Sequence, residues 1–375
     1  MKKTLILLFV CMYLGSIPAS AFCLDTIRVA AVFSKSGEAM AISDEHLIVV
    51  RMAVAEINLQ GGLLGRQIEL LEFDNQSTGL GSQQAAKEVV KAGVCAVVGP
   101  SWSSHALAMA PIFQAQQIPM ITPTSTSPKV TQVGDFIFRV CFIDSFQGDI
   151  LAGFAAGDLK FSRVAILVNT GYVYCTDLAD RFREAFKAGG GEIPISLDYS
   201  ENLTDYAKML GMLKGYEYDG LFIPGYSRDS AQIIKKAREM GIHCAILGGD
   251  GWSNLMYNYA PENALSHTYY LSHWFKTVQD PASLAFVEKL RTVFDDDKIN
   301  AGMALSYDSV YLLADAVRRA GSTDPTQIRA ALAATTDFKG VTGRISFGPD
   351  RNPVKPAVIL QFKDGTSNLV KQYTP

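Results

Sequence analysis

Short apolar runs alternate with segments of helical periodicity along almost the whole chain. Residues 27–33 form a largely apolar run that predicts a strand, and residues 44–59 have the spacing of a helix that ends at Gly61 and Gly62. Strands with apolar residues at successive positions belong inside parallel sheets that helices cover on both faces. In this first unit the pattern also predicts strands at 68–73, 94–98, 118–122 and 136–140 and helices at 82–92 and from Ser104.

A second series of the same kind begins near residue 146. Its strands are predicted at 164–169, 192–198, 220–224 and 244–248, and its helices at 146–159, 177–187, 206–213 and 229–240. Further helices are predicted at 281–293, 303–320 and 325–334, followed by paired strands at 344–347 and 357–362 around a turn at Pro349 and Asp350. Two strand–helix series predict an α/β fold of two doubly wound, Rossmann-like lobes.

Hydroxyl-bearing residues follow two strands of the first unit. Ser101, Trp102 and Ser103 come after the third predicted strand and directly precede a helix, and Thr124 and Thr126 follow the fourth. Ligands of open α/β sheets bind at the carboxyl ends of strands, and helix starts attract anions. These residues therefore predict a site for a carboxylate. Ordinary N-capping by Ser103 and a proline-bounded turn are the alternative interpretations.

Aromatic residues and one acid follow the strands of the second unit, at Tyr174, Tyr226, Asp250 and Trp252. An acid flanked by glycines is able to approach an ammonium group, and aromatic faces attract cations. The alternatives are a turn aspartate and exposed tyrosines without a ligand.

The charge balance argues against a nucleic-acid partner. The chain has 34 Lys plus Arg and 37 Asp plus Glu, a formal net charge of −3, and no block rich in Lys and Arg. An apolar fraction of 48% over 375 residues suits two folded domains and excludes a disordered chain or a coiled coil. The cysteines contain no CxxC pair and argue against a disulfide framework, so Cys95 and Cys141 are expected to be buried thiols.

Residues 1–21 have the pattern of a signal peptide. Lys2 and Lys3 precede an apolar run at 5–14, and Ala19-Ser20-Ala21 predicts cleavage after Ala21. An uncleaved anchor is the alternative, but the run is shorter than the roughly 20 residues that span a bilayer. Lipid attachment at Cys23 is disfavoured by the bulky preceding residue. The protein is therefore expected to be exported, in the periplasm or otherwise secreted.

Catalytic and metal-binding motifs are weak in this sequence. It has no GxSxG, HExxH, P-loop or EF-hand pattern, and its five histidines lack metal-ligand spacing. We therefore expect no cofactor, no metal and no enzymatic activity. An exported hydrolase that uses Ser103, with His105 nearby in sequence, is the enzymatic alternative.

Taken in order, several segments resemble the leucine/isoleucine/valine-binding branch of the type I periplasmic binding proteins, which serve ABC importers. The resemblance covers the chain beyond the signal segment and is carried by residues 27–37, 53–58, Gly61, Gly62, Gly65, 97–104, 121–123, 225–226 and 249–251. It implies two lobes joined by three strands that close on a small ligand. Lobe 1 would comprise 24–143 and 275–348, and lobe 2 would comprise 144–274 and 349–375.

The same resemblance implies roles for individual residues. Ser103 would hold a ligand carboxylate with Thr124 and Thr126, and Asp250 would hold an α-ammonium where the leucine-binding members carry glutamate. Tyr174 and Tyr226 would close over the ligand from the second lobe. The candidate neighbours of the ligand side chain are Ile42, Ser101, Trp102 and Trp252.

An α-amino acid fits the hydroxyls at one end and the acid at the other. We therefore expect a monomeric binding protein that captures an amino acid, with branched-chain or other aliphatic types favoured, and presents it to an ABC permease. An amide, urea or aromatic carboxylate as ligand, and a sensory role, are the alternatives.

Overall fold

The computed structural model describes residues 26–200, 203 and 205–374, so the predicted signal segment lies outside the described residues. The first part of the chain contains a five-stranded parallel sheet with the strand order β2-β1-β3-β4-β5. Its strands are β1 (Ile27–Phe33), β2 (Ile68–Asp74), β3 (Ala96–Val98), β4 (Met120–Thr122) and β5 (Ile137–Arg139). The helices between them are α1 (Met40–Leu59), α2 (Gly79–Lys91), α3 (Ser103–Ala115) and α4 (Lys129–Gln132).

The second sheet has seven strands. Its connecting helices are α5 (Asp144–Gly157), α6 (Val173–Ala188), α7 (Tyr206–Gly211), α8 (Ser227–Glu239) and α9 (Glu262–Leu265). Its first five strands, which are parallel to one another, are β6 (Val164–Asn169), β7 (Ser196–Tyr199), β8 (Gly220–Phe222), β9 (Ala245–Gly248) and β10 (Thr268–Ser272).

After β10 the chain returns to the first sheet. The returning helices are α10 (Pro281–Leu290), α11 (Ala301–Ala320) and α12 (Pro325–Ala333), followed by the hairpin of β11 (Phe338–Gly340) and β12 (Gly343–Ile345). Val29 of β1, Val54 of α1 and Leu312 of α11 belong to one buried apolar cluster, so these helices complete the cover of the first sheet. We call the first sheet with α1–α4, α10–α12 and the β11–β12 hairpin lobe 1, because Ile345 of the hairpin packs in the same cluster, and the second sheet with α5–α9 lobe 2.

The predicted pairing of 344–347 with 357–362 is wrong. The first of these runs forms β12 and pairs with β11, whereas the second forms β13 (Ala357–Lys363), which pairs antiparallel with β10 and with β14 (Thr366–Tyr373). The seven-stranded order is therefore β14-β13-β10-β9-β8-β6-β7. Residues around Pro349 and Asp350 form a passage between the lobes and not a hairpin turn.

Three passages of chain join the lobes, between β5 and α5, between β10 and α10, and between β12 and β13. The carboxyl ends of β1, β3, β4, β6, β8 and β9 face the space between the lobes, because residues that follow each of these strands line it. Gly99 sets the direction of the chain after β3, because its φ is +107° and an added Cβ would lie 2.2 Å from the carbonyl oxygen of Val32.

The cysteines, the helix lengths and the potential metal ligands bear on the remaining expectations. Cys95 and Cys141 are buried free thiols, as expected from their apolar surroundings. Within the described ranges, no helix is long and apolar enough to cross a membrane. The same residues contain no group of three or more His, Cys, Asp and Glu side chains placed to hold a metal ion.

Candidate functional site

A cleft between the two lobes contains about 1130 Å³ of space free of protein atoms, including its opening to solvent. Small-molecule sites are usually clefts of this order of size. Nine of the ten residues singled out from the sequence line it: Ile42, Ser101, Trp102, Ser103, Thr124, Tyr174, Tyr226, Asp250 and Trp252. The structure therefore brings together residues that are up to 210 positions apart, because each follows a strand that ends at the cleft.

Ser103 is the first residue of α3 and is buried at the lobe 1 wall of the cleft. Its Oγ accepts a hydrogen bond from the backbone N–H of Ser127 (3.1 Å), so its own hydrogen remains available to an anion. The first N–H groups of a helix and the helix dipole also favour negative charge at this place. This end of the cleft is suited to a carboxylate.

Thr124 and Thr126 occupy different environments. The Thr124 hydroxyl donates to the carbonyl of Ser101 (2.8 Å) and lines the cleft. Thr126 is fully buried and is absent from the cleft lining; its carbonyl accepts the backbone N–H of Asp144 (3.0 Å). In this arrangement Thr126 lies behind the wall, next to the first passage between the lobes.

Asp250 lies at the opposite wall, and its carboxylate has two partners that the sequence patterns did not indicate. Gln147 donates from Nε2 to Oδ1 (2.9 Å) and accepts the Asp250 backbone N–H (2.7 Å). His273 Nε2 lies 2.8 Å from Oδ2. Burial lowers the pKa of His273, so we assign a neutral ring that donates from Nε2. Each oxygen keeps a further lone pair for a cation.

A second acid lies directly behind Asp250. Gln147 Nε2 is also within 3.2 Å of Asp144 Oδ1, so one amide bridges the two carboxyl groups. Burial first, and then the negative charge of Asp250, raise the pKa of Asp144 well above its ordinary value. Gln147 and His273 lie close to two of the predicted crossings between the lobes, which is the one sequence signal that could have indicated them.

Aromatic rings from both lobes meet across the cleft. The rings of Trp102 and Tyr226 stack with centroids 3.8 Å apart and planes 6° apart, and His105 stacks on Trp102 from behind at 5.4 Å. Tyr172 makes edge contacts with Trp102 and Tyr226. The Tyr174 hydroxyl accepts the Gly251 backbone N–H (2.9 Å) beside Asp250. Aromatic contacts therefore join the two lobes across the cleft.

Hydrogen bonds at the rim also join the lobes. The Tyr172 hydroxyl donates to Glu38 Oε2 (2.7 Å), and Asp177 accepts from the Ser127 hydroxyl (2.5 Å) and from Lys129 Nζ (2.6 Å). Because these partners lie in opposite lobes, the structure has a closed cleft.

A sequence profile of the periplasmic binding protein family matches residues 26–367. The chain belongs to the type I periplasmic binding proteins. A relative from Pseudomonas aeruginosa, a leucine-, isoleucine-, valine-, threonine- and alanine-binding protein, is 25% identical over 371 residues, or 97% of each chain. Family members are substrate-binding proteins of ABC transporters and not enzymes.

Solved structures of substrate-binding proteins have the same fold. The branched-chain amino acid transporter protein LivJ from Streptococcus pneumoniae, in complex with isoleucine, is 31% identical with a TM-score of 0.87 over 93% of this chain and 99% of its own. A solute-binding protein from R. palustris in complex with benzoate has a TM-score of 0.83 over 93% of this chain and 97% of its own, at 18% identity. The second comparison shows the fold alone.

Ser103 of this binding protein has no catalytic surroundings. His105 stacks on Trp102 and hydrogen-bonds to the backbone of Ser77, and burial lowers the pKa of its ring to about 4. In the part of the chain that the structure describes, Ser103 Oγ is hydrogen-bonded to the backbone N–H of Ser127 and not to a base. The hydrolase alternative is therefore rejected.

We expect Trp102→Ala to shift this binding protein towards open arrangements of the lobes. The substitution removes a ring stack across the cleft, and such stacks contribute about 0.5–1.5 kcal/mol beyond the buried area. Small-angle X-ray scattering should give a larger radius of gyration than for the unmodified protein. Trp102→Phe keeps a stacking ring and serves as the control. Identical scattering from all three proteins would show that the stack does not hold the lobes together.

Proposed function

We propose that this chain binds an α-amino acid between its lobes and presents the closed form to an ABC permease. The observation that carries the proposal is the placement of Ser103 at the start of α3 and of Asp250 on the facing wall of one cleft. Ser103 and the helix start would bind the carboxylate, and Asp250 would bind the ammonium group. A zwitterion satisfies both walls at once.

Closure would bury the ligand beneath the aromatic rings. Tyr174 and Tyr226 approach from lobe 2, and Trp102 meets Tyr226 from lobe 1. The three passages between the lobes would act as the hinge, with lobe boundaries at 24–143 and 275–348 against 144–274 and 349–375. The relatives that bind leucine, isoleucine, valine, threonine or alanine support an amino acid as the ligand class.

A scan of the common amino acids by thermal unfolding tests the proposal. A ligand present at 100 times its dissociation constant is expected to stabilise the protein by about 2.7 kcal/mol. We expect one or a few amino acids to raise the melting temperature and D-enantiomers to do so less. The absence of a shift with every amino acid would reject the amino-acid ligand.

The benzoate-binding neighbour and the aromatic cleft make an aromatic carboxylate the second candidate. Asp250 favours the amino acid over the aromatic carboxylate, because a buried carboxylate repels a ligand that carries only negative charge. Benzoate belongs in the same thermal scan, and stabilisation by benzoate without stabilisation by any amino acid would favour this candidate.

The location of the protein and its role in the cell are part of the same proposal. Family membership and the predicted cleavage after Ala21 support a periplasmic location. We expect the protein to act as a monomer. A sensory role for the closed form is the alternative to transport. Uptake of radiolabelled ligand by cells that lack the protein separates them, since only the transport role predicts lost uptake.

A further inference from the structure

Two buried polar side chains in lobe 1 are hydrogen-bonded to each other at the wall of the cleft. His46 of α1 and Ser101, which follows β3, have Nδ1 and Oγ 2.7 Å apart, and their residues are 2% and 5% exposed. Both line the cleft beside Ile42 and Trp102. The sequence patterns indicated Ser101 as a neighbour of the ligand side chain but assigned no role to His46.

The second nitrogen of His46 has no hydrogen-bonding partner among the described residues. It lies against the first turn of α11, where a Cβ added to Gly302 would be 2.0 Å from Nε2. A buried N–H without an acceptor is rarer in proteins than a buried acceptor without a donor. We therefore assign the proton to Nδ1, which donates to Ser101 Oγ. Burial lowers the pKa of His46 to about 3, so the ring remains neutral at physiological pH.

This assignment determines the direction of the Ser101 hydroxyl. Its oxygen accepts from His46, so its hydrogen must point elsewhere. The Thr124 hydroxyl donates to the Ser101 carbonyl (2.8 Å), and the Ser125 hydroxyl lies between the carbonyls of Pro100 (3.2 Å) and Ser101 (3.3 Å), so among the described residues neither hydroxyl is a hydrogen-bonding partner of Oγ. Ser101 is consequently held as a donor at the cleft wall. An aliphatic group placed against such a donor leaves it without an acceptor, whereas a hydroxyl or amide oxygen satisfies it.

We propose that the His46–Ser101 pair selects amino acids whose short side chain carries a neutral hydrogen-bond acceptor over aliphatic isosteres. This inference rests on the proposed function, because it assigns the side-chain preference of the same cleft. Ile42 and Trp102 supply apolar contact on either side, and Glu38 at the rim disfavours a negatively charged side chain. His46 acts as a positioning residue, since it orients Ser101 and need not touch the ligand.

Threonine and valine test the proposal because they have the same shape and differ by a hydroxyl in place of a methyl group. Isothermal titration calorimetry should show that threonine binds about tenfold more tightly than valine, because one well-formed hydrogen bond changes a dissociation constant by about this factor. Ser101→Ala should bring the ratio of the two dissociation constants close to one. His46→Leu should reduce the ratio, and His46→Asn, which offers an amide donor near the place of Nδ1, should restore part of it.

Ser227→Ala is the matched control. The Ser227 hydroxyl lines the same cleft from lobe 2 but already donates to the carbonyl of Gly251 (3.2 Å), so its loss should leave the threonine-to-valine ratio unchanged. Binding of valine as tight as threonine, with the same ratio in Ser101→Ala, would overturn this inference while amino-acid binding stands. If no amino acid binds, the proposed function itself fails.

Discussion

Asp250→Ala is expected to abolish amino-acid binding in a protein that still folds. The carboxylate is 5% exposed and is held by Gln147 and His273 at the cleft wall that faces Ser103. Removing one partner of a buried, hydrogen-bonded charge pair costs about 2–5 kcal/mol, which corresponds to a loss of affinity of roughly 30-fold to more than 1000-fold. Calorimetric titration with the best ligand from the thermal scan measures this loss.

Two controls separate loss of charge from loss of structure. Asp250→Asn keeps the shape of the side chain and should also bind weakly, because a neutral amide does not compensate an ammonium group. The ligand analogue without its α-amino group should bind the unmodified protein poorly and lose little further affinity in Asp250→Ala. Far-ultraviolet circular dichroism should be unchanged in both variants. Retained affinity in Asp250→Ala would show that the ammonium group is bound elsewhere.

Asp308→Ala is expected to give the largest loss of stability that we predict for lobe 1. Asp308 on α11 accepts the backbone N–H groups of Val341 (2.6 Å) and Thr342 (3.0 Å), and the Thr342 hydroxyl (2.5 Å). Lys355 Nζ lies 4.0 Å from Oδ2, and both residues are buried. Burial raises the pKa of Asp308 and lowers that of Lys355 to about 8, so each charge depends on the other.

Removing Asp308 leaves the charge of Lys355 and two backbone N–H groups buried without their partner. We expect the free energy of unfolding to fall by about 3–5 kcal/mol, measured by denaturant titration. Adding Lys355→Met should recover part of the loss, because the uncompensated charge is then absent. Asp315→Ala breaks an exposed pair with Arg319 on the same helix and should cost less than about 1 kcal/mol. Equal losses in the two single variants would contradict this account.

The fold could be predicted largely from local pattern. The bounds of β1 and β6 agree with the predicted strands, and the order of strands and helices through β9 follows the alternation of apolar runs and helical segments except for the four-residue helix α4, which the pattern did not predict. The starts of helices were predicted less accurately: α1 begins at Met40, four residues before the predicted start at residue 44. Apolar spacing indicates the part of a helix that packs and carries less information about its first turn.

The end of the chain shows where local pattern fails. The runs that became β12 and β13 are both strand-like, but they belong to different lobes because the chain crosses between them. Pairing is decided by which open sheet edge a strand reaches, and β10 offers such an edge to β13. Nothing in the composition of residues 344–362 distinguishes a hairpin from a crossing.

The sequence by itself determined the fold class and nine of the residues that line the cleft, because all parallel strands of a sheet end at the same edge. Only the tertiary structure placed Thr126 behind the wall, stacked Trp102 on Tyr226, and supplied Gln147 and His273 as partners of Asp250. These contacts join residues far apart in the chain, 103 positions in the case of Gln147 and Asp250. Periodicity and strand ends describe neighbours along the chain, whereas the partners of Asp250 meet it only when lobe 2 folds, and Trp102 meets Tyr226 only when the two lobes come together.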